Sequence, residues 1–255
     1  MTSIKEMFIP KGTPARPGYA MQPGYITIHN TANAGKGAGA ESHGLYMTQN
    51  GGQNAQVSYH YVVDDQVIIR LLPDTENAWH AGDGANGTGN RKSLAIEICE
   101  NPESNLLAAT DNAAELTARL MKDWGISADH VVQHNYWSGK NCPRRIRAGE
   151  PYGWDAFLAK VQGFYTALTL PKEEPEKQDP SAALYAVQTG AFLVKENAQN
   201  YQKALAKKGI ESFITTRGEY FRVQTGAFAN KDNADRYAQK LFAMGIEAIV
   251  VKKEA

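Results

Sequence analysis

Cysteine is almost missing from this 255-residue chain: only Cys99 and Cys142 occur. Two thiols are too few for the disulfide framework of a small secreted scaffold, so a metal ligand or a free thiol is the better reading. An excess of charge of either sign is missing too, because 27 lysines and arginines face 27 aspartates and glutamates. Without a basic surplus the molecule has no footprint for a nucleic-acid backbone, and nucleic acid is not an expected partner. No apolar run is long enough to span a bilayer. The N-terminus, MTSIKEMFIPKGTPARPGYA, has neither an unbroken apolar stretch nor a small-residue cleavage site. The expectation is a chain made in the cytoplasm, with no membrane partner and no apolar seam for self-association, hence a monomer. What is present, 42% hydrophobic and 21% charged residues, is ordinary for a globular protein. At this length two domains are a fair expectation.

The boundary falls at residues 170–181, LPKEEPEKQDPS, where three prolines mix with dense charge and no periodic apolar residue. Such a stretch buries no core and reads as an extended spacer. Beyond it the sequence repeats itself: YAVQTGAF at 185–192 returns as FRVQTGAF at 221–228. The same offset aligns Tyr201 with Tyr237, Leu205 with Leu241 and Gly209-Ile210-Glu211 with Gly245-Ile246-Glu247. This is duplication. In each copy an alternating segment precedes apolar residues at helical spacing (Ala198, Tyr201, Leu205; Ala234, Tyr237, Leu241), and a β-branched run follows. Two β-α-β units of this size must share one core, which predicts a ferredoxin-like βαββαβ domain over 182–255. The tandem VQTGAF pattern resembles the SPOR domain, and that resemblance implies binding to peptidoglycan glycan.

Residues 1–169 read as α/β, with a mixed central sheet flanked by helices. Strands are predicted at 25–29, 57–63, 67–71, 94–99 and 130–133. One helix is predicted after Asp111 as N-cap, with Ala113, Leu116, Leu120 and Trp124 on a stripe and Gly125 at the stop. Another starts near Trp154, with Phe157, Leu158, Val161, Tyr165 and Leu168 on its buried side.

Three metal-ligand types stand at or beyond predicted strand ends: His29 in TIHNTAN, then His134 and Cys142 in QHNYWSGKNCPRRI. Strand ends are where α/β sheets build sites. Three protein ligands with a fourth position open is the catalytic zinc pattern, whereas a structural zinc closes all four. Glu97 interrupts the apolar strand SLAIEIC, where a carboxylate is costly without a partner. Beside a metal it can take a proton from an attacking water and return it to a leaving amine. The other reading is an ion pair with an arginine such as Arg70. Lys140, two residues before Cys142, can reach a developing oxyanion, or simply face solvent. A Cys99–Cys142 disulfide is geometrically conceivable and would destroy the site.

TIHNTAN, SYHYVVDD, NAWHAGDG, SLAIEICEN and YWSGKNCPRR, in that order, resemble the N-acetylmuramoyl-L-alanine amidase type 2 family, over roughly residues 1–168. The family includes phage endolysins and is related to peptidoglycan recognition proteins. The resemblance implies a zinc held by His29, His134 and Cys142, with Glu97 and Lys140 catalytic. It also implies that a muropeptide lies in a groove lined by Tyr59, Trp79 and His80. The expected activity is cleavage of the bond joining the muramic lactyl group to L-alanine, on a wall reached after phage or mother-cell lysis. The alternative is a recognition protein that binds muropeptide in the same groove without cutting it.

Overall fold

The first half of the chain alternates strands and helices: β1 (Ile4–Glu6), β2 (Tyr25–Asn30), α1 (Ala40–Thr48), β3 (Tyr61–Val63), β4 (Ile68–Arg70), α2 (Thr88–Lys92), β5 (Ser93–Ile98), α3 (Leu106–Trp124), β6 (Val131–Gln133), α4 (Asn135–Ser138), α5 (Arg144–Arg147) and α6 (Trp154–Thr169). This is a computed structural model, and it describes residues 2–169 and 185–252. By its contacts the chain divides into two units, the first ending at Leu168. The spacer expected at 170–181 lies outside the described residues. Among the described residues no helix is long and apolar enough to cross a membrane.

The six strands form one sheet in the order β1-β4-β3-β5-β2-β6. Neighbours run parallel except for the β3–β4 pair. Successive side chains on a strand point to opposite faces, and the sequence obeys this twice over. Ile26 and Ile28 of β2, with Leu94, Ile96 and Ile98 of β5, bury against Leu116, Leu120, Phe157 and Val161 of α3 and α6. Ala95 and Cys99 take the other face with Val62, Ile69 and Met47 of α1. His29 and Glu97 share that second parity. They are register partners on adjacent strands, so the topology alone brings them side by side under α1.

Two expectations shift and a third holds. The long helix starts at Leu106, one turn and more before the predicted cap, because the Asn105 side chain accepts from the Ala108 amide. Asp111 lies inside that helix and accepts from the Tyr152 hydroxyl at 2.6 Å and Lys160 Nζ at 2.7 Å. The run at 57–63 is strand only from Tyr61, since Ser58 pairs its backbone and side chain with Trp79 instead. The stop at Gly125 is a left-handed C-cap, φ 65°, donating to the Met121 carbonyl.

The second unit comprises β7 (Tyr185–Phe192), α7 (Lys195–Lys207), β8 (Phe213–Arg217), β9 (Tyr220–Phe228), α8 (Lys231–Ala243) and β10 (Ile249–Lys252). Its antiparallel sheet has the order β10-β7-β9-β8. Ala198 and Leu205 of α7 and Ala234 and Leu241 of α8 share one core with Val187 and Val223, so both helices cover the same face. The duplication extends to a steric detail. A Cβ on Gly190 would come within 2.7 Å of the Phe192 ring and 3.3 Å of Tyr201, and one on Gly226 would meet Phe228 and Tyr237 at the same distances. The glycine in each VQTGAF is what lets the aromatic pair close over the strand.

Candidate active site

The ends of β2 and β5 open into a cleft of about 760 Å³, whose lining includes His29, Tyr59, Glu97, His134, Lys140 and Cys142. His29 ends its ring in the cleft floor because β2 keeps its alternation to the last residue. His134 follows β6 directly. The loop after α4 then returns to place the Cys142 thiol 3.7 Å from His29 Nδ1. Donor atoms of His29, His134 and Cys142 all lie within 4.8 Å of one another, and all three residues are buried. Ligands of a tetrahedral cation at 2.0–2.3 Å stand roughly 3.3–3.8 Å apart, so this spacing suits a divalent ion.

The electrostatics agree. Burial, followed by the neighbouring His80, His134 and Lys140, holds His29 well below the ordinary histidine range. His134 is lowered by burial and then by Lys140. Both rings are therefore neutral and offer a lone pair. His134 Nε2 faces the Ala81 carbonyl at 3.0 Å, while its buried Nδ1 has no partner. Burial and Glu97 push the Cys142 thiol up to about 11, a cost that a bound cation would reverse by favouring the thiolate. A buried, orphaned imidazole nitrogen beside a thiol fits a metal better than it fits a core.

Glu97 Oε1 lies 3.8 Å from His29 Nδ1, and Oε2 is buried without a partner. Burial raises this carboxyl to about 8 against the opposing pull of Lys140. The ion pair with Arg70 does not form: Arg70 binds Asp74 at 2.9 Å and Glu6 at 3.1 Å. Cys99 and Cys142 are both free. Lys140 is exposed at the cleft wall, on a loop held by the Asn135 side chain and the Cys142 amide, both donating to its carbonyl.

The structure separates the three groove residues. Tyr59 lines the cleft, with its hydroxyl 3.4 Å from His43 Nδ1. Trp79 does not line it; its ring packs edge to face on Tyr19, centroids 6.3 Å apart. His80 reaches the cleft floor with only 8% of its surface exposed, its ring nitrogens on His29 and the Ser93 carbonyl. Sequence reasoning passed over two further residues. The Asn30 side chain accepts from the Arg145 amide at 3.0 Å, and Glu100 accepts from the Ala32 amide and the Arg144 guanidinium. Together they tie the Cys142 loop to the end of β2, where Ala32 sits at φ 51°. The one available signal was their place just after a strand.

A neutral donor cluster beside a desolvated carboxylate, in an open cleft at strand ends, is the equipment of a hydrolase. The chain belongs to the N-acetylmuramoyl-L-alanine amidase family: that family's model matches residues 19–145, and a SPOR domain model matches 181–252. It is similar to the N-acetylmuramoyl-L-alanine amidase CwlH of Bacillus subtilis (strain 168), 46% identical over 207 residues, covering 81% of this chain and 78% of that protein. It is also similar to XlyA of the same strain, an N-acetylmuramoyl-L-alanine amidase, at 48% identity over 64% of this chain and 52% of that protein. The solved catalytic domain of XlyA matches with a TM-score of 0.59 at 48% identity, over 63% of this chain and 99% of that one.

Proposed function

We propose that the first unit, residues 1–169, hydrolyses the amide between N-acetylmuramic acid and L-alanine of bacterial peptidoglycan, with zinc held by His29, His134 and Cys142. The second unit, after a spacer at 170–181, binds the glycan of the same wall. The observation that carries this reading is Glu97: a carboxylate kept desolvated, with one oxygen unpartnered, beside a donor set. Evolution rarely leaves such a group uncompensated except at a site that uses it.

Zinc, when bound, would supply a Lewis acid that polarises the scissile carbonyl and acidifies the attacking water. In its ionised form, which a bound cation would favour, Glu97 takes the proton of that water, and its raised pKa makes it a competent acid when the alanine amine leaves. Lys140 brings an ammonium to the cleft wall, where negative charge develops on the lactyl oxygen. Tyr59 lines the same cleft, which supports a part for it in holding the stem peptide.

The test is digestion of purified peptidoglycan by the enzyme, by chelated enzyme and by Glu97→Ala. The parent releases new alanine N-termini without new reducing sugar ends. Chelation abolishes that release and zinc restores it, while Glu97→Ala lowers it about 100-fold or more. Reducing ends alone would mean a glycosidase. Tight muropeptide binding with no cleavage would mean a recognition protein.

A further inference from the structure

His80 and the loop that carries it have no catalytic task in the scheme above, yet they touch both imidazoles of the donor set. His80 Nε2 lies 3.3 Å from the Ser93 carbonyl, and its Nδ1 lies 3.0 Å from His29 Nε2. A carbonyl can only accept, so the proton of His80 sits on Nε2. Its Nδ1 is then an acceptor, which leaves His29 to carry its own proton on Nε2. That choice presents His29 Nδ1, the nitrogen facing Cys142, as a lone pair. One residue further on, the Ala81 carbonyl does the same for His134: it takes the Nε2 proton and leaves the unpartnered Nδ1 as the ligand.

The loop is built to hold these two acceptors still. Asn90 Oδ1 accepts from both the His80 and Ala81 amides at 2.8 Å, and its amide nitrogen donates to the Gly84 carbonyl. Asp83 in turn accepts from the Gly89 and Asn90 amides. Added bulk is not tolerated nearby, since a Cβ on Gly89 would fall 2.5 Å from Ala81 Cβ and 2.8 Å from the Trp137 ring.

The geometry points to His80 as a positioning residue that sets the tautomer and aim of His29, within a segment (80–90, running into α2) that orients both histidine ligands. Groups holding the far nitrogen of a ligating histidine typically govern metal affinity about 10–100-fold. This inference rests on the reading of His29, His134 and Cys142 as metal ligands.

Two measurements on the full chain test it. In metal-free protein labelled with nitrogen-15, long-range proton–nitrogen spectra should find His29, His80 and His134 all protonated at Nε2. Titration with zinc alone should then move Nδ1 of His29 and His134 most. A proton on Nδ1 of His29 or His80 overturns the inference. The second measurement is zinc affinity by competition with a chromophoric chelator. His80→Ala should bind zinc about 10–100-fold more weakly than the parent. His80→Asn, which keeps an acceptor near the Nδ1 position, should recover most of that loss. Equal affinity in the parent and His80→Ala overturns the inference, as does an Asn variant as weak as the Ala variant. If the parent binds no zinc, the metal reading itself fails, and the tautomers of the metal-free protein still decide whether His80 orients His29.

Discussion

At the scale of the residue, Glu97 is a liability kept for use. Its carboxyl is pushed up to about 8 by burial, and one oxygen has no partner. Replacing it with glutamine removes a buried titratable group without changing shape. The expected result for Glu97→Gln is at least a 100-fold loss of turnover, with a metal-free melting temperature equal to or above the parent's; a clear fall in melting temperature would make Glu97 a structural residue. Glu76 behaves in the opposite way. The guanidinium of Arg16 binds it through two hydrogen bonds, at 2.7 and 2.8 Å, and holds its carboxyl below the usual 4.5. The unfolded chain therefore takes up that proton before the folded one does. The stabilisation is fully present above the unfolded value and is lost as pH falls through the lowered one. Melting curves of the parent and Glu76→Gln should differ by about 1–3 kcal/mol at neutral pH and converge in acid.

At the scale of the element, the helix pair α3–α6 shows how a misread residue acquires a role. Asp111 satisfies every local rule for an N-cap, but Asn105 caps the helix earlier, and Asp111 becomes a fastening to Tyr152 and Lys160. Removing its carboxylate leaves a half-buried phenol and an ammonium without their acceptor. Asp111→Ala should lower stability by about 1–3 kcal/mol in urea titrations; no shift in the midpoint would show the contacts to be idle. The loop between β4 and α2 shows the same limit from another side. In NAWHAGDGANGTGN the glycines announce a turn-rich segment, but that Asn90 binds two successive amides depends on a fold-back no spacing rule encodes. Hence His80 and Trp79 looked alike in sequence, as groove residues, while the structure sends one to the cleft floor and the other to Tyr19.

At the scale of the whole molecule, the first unit has its hydrophobic clusters on the two faces of its sheet and the second unit has one of its own, which implies two separately stable parts. A chain ending at residue 169 should unfold cooperatively and cleave soluble muropeptides at the parent's rate. On purified sacculi its retention should fall by about 100-fold, because tethering to a second wall-binding unit raises effective concentration. Unchanged retention in a pelleting experiment would remove wall binding from the second domain.

Periodicity and repetition are local, so the order of residues alone determined most of the secondary structure, the duplicated tail and the identity of the chemical groups. What only the tertiary structure decided are relations between residues distant in sequence: the approach of Cys142 to His29, the failure of Arg70 to reach Glu97, and the acceptors behind each imidazole. The reason is physical. A hydrogen bond fixes an ångström and a lone pair, and the chain reaches those only after the sheet register and the loops have closed around them.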